Sequence, residues 1–357
     1  MNSDGEKIFL AILLFSVMSN DTTGTFRLQE NIRHAISRSQ RIIITTHVNP
    51  DGDALGSELA FAAAMRHLGK EPLIINHNST PDNYLWLDPD KRIIHFIPDQ
   101  HSQLILQADL IAVVDTNQPD RLRSMEPFVL QSPAPKLIID HHLEPHPFGE
   151  FYIIDDDATS TGELMYKLFR TMGIPITSDI ATELYTAIMT DTGSFRFPRT
   201  DPEIHHIAAD LIGRGADPTE CYVKVYEQWT PARMRLMGEV LDSMKTAYGG
   251  KLAYVVCTRK MFQDTGTTEV ETDNFTTYPM SIQGVMIGIL FNELPNGVKI
   301  SFRSKGNVPI NQLAGEFGGG GHFNAAGARL FDLTLDEAIK QVVEKTKKYL
   351  KYGEATD

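Results

Sequence analysis

Four hydrophobic runs in the first half of the chain end the same way, in side chains able to hold a metal or move a proton. Residues 42–47 lead into Asn49-Pro50-Asp51-Gly52-Asp53, 110–114 end at Asp115, 136–139 run into Asp140-His141-His142, and a fourth run closes on Met189-Thr190-Asp191. Short β-branched runs alternating with amphipathic helical stretches are the signature of βαβ units and a mostly parallel sheet. The pattern predicts strands over 41–46, 72–76, 110–114 and 136–139, with helices over 55–68, 162–172 and 180–189, and Gly69 closing the first of these. Ligands of open α/β sheets bind beyond the carboxyl ends of the strands, where these acids and histidines are expected to gather as four strand termini.

The residue types define the chemistry. Asp51 and Asp53 lie two apart in a glycine-containing loop, so an extended backbone turns their carboxylates apart, each towards a different cation. His47 can join Asp51, Asp115 is suited to bridge both ions, and His141 with Asp191 completes the second. Two imidazoles and four carboxylates form a hard, oxygen-rich set that favours Mn²⁺, with Mg²⁺ as the alternative, over a thiolate zinc site. Paired ions roughly 3.5–4 Å apart lower the pKa of a shared water and clamp a phosphoryl group for in-line attack. The nucleophile is then hydroxide. His142, next to a ligand but expected to face the other way, is the candidate general acid, and Asp140 is expected to orient an imidazole. Any one of these acids is as readily a turn residue or helix cap; their joint placement argues for a site. The adjacent pair His205-His206 carries no such argument, because neighbouring residues on a helix face apart.

From residue 201 to 248 the sequence turns helical and polar, with helices expected over 202–213, 218–229 and 231–247. Strands follow over 252–257, 285–291 and 298–303, then Gly318-Gly319-Gly320-Gly321-His322 and a final amphipathic helix over 335–349. The glycine run beside His322 suits close approach of backbone amides to an anion. Arg303 and Ser304, at a strand end, add a forked cation and a hydroxyl for phosphate. Trp86, Trp229 and Phe195 are expected to pack in cores rather than stack on a base. The reading is an α/β chain: an N-terminal mostly parallel sheet with flanking helices over 26–213, a helical linker over 214–247, and a smaller C-terminal α/β domain over 248–357.

Composition then narrows the partners. With 33 Lys and Arg against 46 Asp and Glu, the formal charge of −13 opposes sequence-independent binding to long nucleic acid, which rests on many cationic contacts to phosphate. A nucleic-acid substrate should be short and single-stranded. Two cysteines, Cys221 and Cys257, form neither a disulfide framework nor a thiolate site, and fit a reducing cytoplasm. The apolar run over 8–18 falls well short of the roughly 20 residues of a spanning helix. With Lys7 ahead of it the run resembles the charged and apolar parts of a signal peptide, but no small-x-small cleavage site follows; it is read, within residues 1–25, as a disordered extension or mis-assigned start, with no stable membrane association.

The segments His47 to Ser57, Val114-Asp115-Thr116, Asp140-His141-His142 and Asp191 to Arg196 resemble the motifs of the DHH phosphoesterases. Arg303-Ser304 and Gly318 to Gly327 resemble the family's associated C-terminal domain. The resemblance covers about 26–348 and departs from no motif position. It implies metal ligation by His47, Asp51, Asp53, Asp115, His141 and Asp191, and phosphate binding by Arg303, Ser304, Gly318, Gly319, Gly320, Gly321 and His322. Within the family the architecture is most similar to the branch acting on very short oligonucleotides and 3'-phosphoadenosine-5'-phosphate, which implies Mn²⁺-dependent hydrolysis of both; a homodimer is compatible with it. Pyrophosphatase or exopolyphosphatase activity, and a catalytically silent nucleotide sensor, are the competing readings.

Overall fold

The computed structural model describes residues 22–143 and 145–353, in two compact units that divide between Gln228 and Trp229. In the first unit, β1 (Arg41–Thr45), β2 (Glu71–Asn76), β3 (Ile93–His95), β4 (Leu110–Val114), β5 (Lys136–Asp140) and β6 (Phe151–Ile154) form one sheet in the order β3-β2-β1-β4-β5-β6. Every pairing in it is parallel. The winding reverses between β1 and β4, so the loops leaving those strands diverge and open a crevice at their carboxyl ends.

Among the described residues eight α-helices accompany the sheet: α1 (Thr22–Arg38), α2 (Gly52–His67), α3 (Pro98–Leu106), α4 (Glu126–Gln131), α5 (Thr161–Met172), α6 (Ser178–Asp191), α7 (Pro202–Gly213) and α8 (Pro218–Tyr226). Alternation along β1 sets the layers. Ile42 and Ile44 pack with Leu59 and Met65 of α2, Phe169 of α5 and Leu184 of α6, whereas Ile43 faces Ile105 of α3, Val129 of α4 and Leu122. With both faces covered, β1 is a continuous apolar run, and truncating Ile44 to Ala would cost ~2–5 kcal/mol. Helices α2 and α6 pack so closely that a Cβ on Gly56 would lie 2.4 Å from the Glu183 carbonyl oxygen. This approach brings the start of α2 beside the end of α6.

The expected α/β architecture is present, with local differences. The helix expected over 180–189 is present as α6, so Asp191 closes a helix and the acids and histidines stand at three strand ends and one helix end rather than at four strand termini. Helix α2 starts at Gly52 because the Asp51 side chain caps it, accepting from the Asp53 and Ala54 amides. Asp51 and Asp53 therefore stand on a helix start, not an extended loop. Strands β3 and β6, of three and four residues, are too short to show an alternating pattern, and helix α3 has a mixed polar sequence, so none of the three is expected from the sequence.

The second unit contains α9 (Pro231–Asp242), β7 (Lys245–Ala247), β8 (Leu252–Cys257), α10 (Arg259–Thr265), α11 (Thr277–Met280), β9 (Ile287–Leu294), β10 (Gly297–Ser304), α12 (Ile310–Gly315), β11 (Gly320–His322), β12 (Ala325–Phe331) and α13 (Leu335–Tyr349). Its sheet runs β11-β12-β10-β9-β8-β7, antiparallel except for the β8–β9 pair. Helix α13, capped by Thr334 and Glu337, buries Ala338 and Val342 against it. The polar helical stretch over 214–247 is shared, α8 lying in the first unit and α9 in the second. Among the described residues no helix is long and apolar enough to cross a membrane. The apolar run over 8–18 lies outside the described residues.

Candidate active site

The crevice between β1 and β4 is where the functional side chains meet. Thr46, just past β1, donates its hydroxyl to the Val114 carbonyl at 2.8 Å, fixing the two strand ends together. The buried His47 follows, with Nδ1 2.8 Å from the Val48 carbonyl oxygen and Nε2 3.2 Å from Asp115 Oδ2. Asp115 holds its place through its amide, which donates to Ile139 O at 2.9 Å, and has a left-handed φ of 59°. Asn49, Ser194 and Phe195 share that conformation, uncommon outside glycine, so strain collects around this rim.

His141, leaving β5, points Nε2 into the carboxylates: 3.3 Å from Asp191 Oδ2, 3.6 Å from Asp53 Oδ2 and 3.7 Å from Asp115 Oδ1. Its Nδ1 lies 3.3 Å from the Ala158 carbonyl oxygen. His142 does not turn away: Nδ1 is 2.8 Å from Asp140 Oδ1 and 3.8 Å from Asp115 Oδ1, and the two imidazole centroids are 4.7 Å apart. A histidine pair following a strand would alternate faces, but the chain leaves regular strand geometry after Asp140, so both rings stay on the rim. Asp140 also accepts from the His141 amide at 2.9 Å, while its buried Oδ2 has no hydrogen-bond partner among the described residues.

Burial and crowding dominate the electrostatics. Desolvation, then the charges of Asp115 and Asp191, holds Asp53 well above the usual carboxylate range. Burial and Asp51 do the same for Asp115, and burial raises Asp191. For His141, burial pulls the imidazole down, but Asp53, Asp115 and Asp191 together keep it above its ordinary value. His142 is raised against its own burial by Asp140, whereas burial leaves His47 low.

This arrangement fits divalent cations. Both His47 and His141 set Nδ1 against a backbone carbonyl, so in the neutral ring that a metal ligand must be, the proton sits there and the Nε2 lone pair faces carboxylate oxygens, acceptor against acceptor. A cation between them removes the conflict and offsets the crowded negative charge. Three groups have ligand atoms within 4.8 Å of one another: His47, Asp51 and Asp115; Asp53, His141 and Asp191; and Asp115, His141 and His142.

The second-unit residues are placed differently. Arg303, near the end of β10, is half-buried and donates Nη1 to its neighbour's carbonyl, Phe302 O, at 3.0 Å; burial lowers its pKa. Ser304 donates to Val308 O at 2.7 Å and accepts from Asn324, clasping a turn. Gly318 and Gly319 donate their amides to Gly315 O and Ala314 O, closing α12, and Gly320 and Gly321 continue into β11. The glycine run is thus a helix cap and an edge strand rather than an open nest. A Cβ on Gly319 would lie 2.1 Å from the Gly327 carbonyl oxygen, so the close approach excludes other residues. His322 ends β11; its side chain lies outside the described residues.

Comparison with known proteins decides the family. The profile of the DHH family, N-terminal domain, matches residues 41–188, and that of the DHHA1 domain matches 236–351. The "Bifunctional oligoribonuclease and PAP phosphatase NrnA" of Thermus thermophilus is 34% identical over 317 residues, covering 87% of this chain and 90% of the relative. The chain belongs to the DHH family. A Bacillus subtilis DHH relative of the same name is 28% identical over 87% of this chain and 95% of its own. An exopolyphosphatase-related protein from Bacteroides fragilis, 35% identical, superposes with a TM-score of 0.87 over 91% of this chain and 98% of its own.

Around these DHH motifs stand residues that sequence reading passed over. The start of α5 serves Asp53: Thr161 N donates to Oδ2 at 2.7 Å and Gly162 N to Oδ1 at 2.9 Å, while the Thr161 hydroxyl donates to Asp115 Oδ1 at 2.9 Å. Ser160, with Glu163 three residues on, marks that helix start in the sequence, but nothing there says which carboxylate it faces. Arg121, half-buried in the 3₁₀ helix Pro119–Met125 that follows β4, has no carboxylate within ion-pair distance among the described residues, and its charge is felt at His47 and His142. No local pattern distinguishes it.

Proposed function

We propose that this DHH-family chain is a two-metal phosphoesterase that hydrolyses short oligonucleotides, linear dinucleotides included, and 3'-phosphoadenosine-5'-phosphate. The observation that carries the reading is the pair of ligand groups facing each other across Asp115 and His141, in a chain whose Thermus and Bacillus relatives are named for those activities. His47, Asp51 and Asp115 would hold one cation, and Asp53, His141 and Asp191 the other, with Asp115 facing both. Manganese is the first choice and magnesium the second, because imidazole joins the carboxylates. When bound, such a pair supplies a water of lowered pKa and a positive clamp for the phosphoryl oxygens.

The chain's own groups do the rest. Asp140 holds His142 at Nδ1 and favours its imidazolium, which keeps a proton on Nε2 for the departing oxygen. Arg121 offers a forked cation to non-bridging phosphate oxygens. Thr161 and Gly162 fix the Asp53 carboxylate against rotation. We assign hydrolysis to residues 26–213 and recognition of a remote substrate phosphate to residues 248–357, through Arg303, His322 and the edge formed by Gly318 to Gly321, with Ser304 holding the turn beneath. The net charge of −13 supports short single-stranded substrates over long duplex, and the buried free cysteines support a cytoplasmic setting.

The test is a substrate panel with purified protein and Mn²⁺: diadenylate, 3'-phosphoadenosine-5'-phosphate, pyrophosphate and a short polyphosphate. Turnover of the first two is expected. The Bacteroides fragilis relative favours a second reading, cleavage of phosphoanhydrides. Turnover confined to pyrophosphate or polyphosphate would establish that reading instead, and binding without turnover of any would make the chain a sensor.

A further inference from the structure

A cavity of about 410 Å³ opens in the first unit beside the end of α6. Tyr185 and Met189 of α6 line it, with Ser194 and Phe195 from the following turn, Tyr222 of α8 and Glu227 just after α8. Its size lies within the range of small-ligand pockets, roughly 300–1,000 Å³. The Phe195 ring sits 5.6 Å from Tyr185 and 5.9 Å from His205, and Tyr222 sits 5.0 Å from Tyr226, all centroid to centroid. Aromatic side chains thus line the space from two elements, and Ser194 and Glu227 add a hydroxyl and a carboxylate to the lining.

Phe195, expected in the core, packs against it only in part. Its amide donates to the Thr192 hydroxyl at 3.0 Å, and Ser194 and Phe195 both hold left-handed φ values, 60° and 62°. Two successive non-glycine residues in that region are costly. The turn starts directly after Asp191, whose charge is felt at the Tyr226 phenol, and Tyr226 in turn is hydrogen-bonded to Ser194. The turn that lines the cavity is therefore continuous in sequence with the carboxylate rim.

We propose that this cavity is a base-binding subsite: a nucleobase of the substrate stacks on Phe195 and Tyr222 while its polar edge meets Ser194 and Glu227, positioning the adjoining phosphate at the Asp191 side of the rim. The proposal rests on the nucleotide-hydrolase reading above. It adds a substrate-positioning device in the catalytic unit, which accepts any base because stacking uses the π-face that all bases share. It also explains how a chain of negative charge retains a short anionic substrate.

Tyr222, 42% exposed, can be changed without disturbing the core. Two variants bracket the site: Tyr222→Ala removes a stacking face, and Thr219→Trp, from an exposed lining position, fills the cavity. The assays are steady-state hydrolysis of diadenylate, hydrolysis of an analogue with one base replaced by hydrogen, and titration of adenosine 5'-monophosphate into metal-free protein. We expect each variant to raise KM for diadenylate about tenfold with kcat held, the order set by base–aromatic stacking, and to leave hydrolysis of the analogue that lacks the stacked base unaffected. Adenosine monophosphate binding should weaken to the same degree, whereas Tyr222→Phe should restore both. Equal effects on all substrates, or none, would overturn the subsite and leave the hydrolase reading intact. If wild-type protein cleaves no nucleotide, that reading fails, and the monophosphate titration alone decides the subsite. A loss of self-association in Tyr222→Ala, with nucleotide binding unchanged, would overturn it by making this face a contact between copies of the chain.

Discussion

The two units carry six-stranded sheets yet treat carboxylates in opposite ways. The first buries Asp53, Glu58, Asp88, Asp115, Asp140, Glu163 and Glu183, whereas no Asp or Glu is buried among the described residues of the second. Topology explains much of the contrast. A wholly parallel sheet directs every strand's carboxyl end to one edge, so residues far apart in sequence converge there, and those ends are the natural place for ligands. An antiparallel sheet sends alternate strand ends to opposite edges and gathers no such cluster. What the second unit offers instead is backbone at an edge strand, β11, with Arg303 nearby on β10.

The severest challenge to this contrast is Asp115→Ala. We expect turnover to fall by at least ~10³-fold and binding of both metal ions to weaken, because the clamp on the phosphoryl group is lost; metal titration alongside kinetics checks it, and near-normal values for either would break the assignment. Next in size is His142→Asn, expected to lower kcat by ~10²–10⁴-fold. As a general acid His142 must be protonated. Asp140 raises its pKa, so wild-type kcat should fall as pH rises past that raised value, and the variant's profile should lack this alkaline limb.

Buried carboxylates also set the pH dependence of stability. Burial lifts Glu183 from 4.5 to about 7 despite its 3.0 Å pair with Arg92. A raised folded-state pKa means the native state holds the extra proton, so this contribution is full below pH 4.5 and is lost as pH rises through about 7. The change is of order 3 kcal/mol. Denaturant titrations of Glu183→Gln against wild type across this window should show a shallower decline in the variant.

Changes in the second unit should be milder. Arg303→Ala is expected to raise KM ~10-fold or more, as loss of a charge-assisted phosphate contact would, with kcat and metal content near wild type. Loss of metal would erase the division between the units. The smallest effect is assigned to Glu316, which Tyr349, Lys348 and Lys345 hold down at about 2. Here the sign reverses: the folded pKa is depressed, so stability is present above pH 4.5 and lost as pH falls towards 2. Solvent screening limits Glu316→Gln to ~1 kcal/mol or less, measured by thermal unfolding at neutral pH against pH 3.

Legibility in the sequence followed the same division. The strands 110–114 and 136–139 announce themselves because both their faces are buried and apolar, and each ends in a residue that polar surroundings must satisfy. Helix α6 was legible as a helix over 180–189 yet equally as a run terminating in an acid, since burial on several sides hides its period. His142 was expected to face away on strand alternation, which stops applying once the chain leaves β5. The glycine run read as an anion loop because composition reports conformational freedom, not which carbonyls the amides already serve.

Local spacing along the chain sets the alternation of strands and helices and the residue types at the rim, while the resemblance to the DHH family is carried by the motif residues themselves. Only the tertiary structure decided that His141 Nε2 faces Asp53, Asp115 and Asp191 together, that the α5 amides hold Asp53, and that Phe195 and Tyr222 flank one cavity. Those relations join residues tens of positions apart. They exist only once the core has fixed the directions of helices and loops, a consequence of packing that no local pattern records.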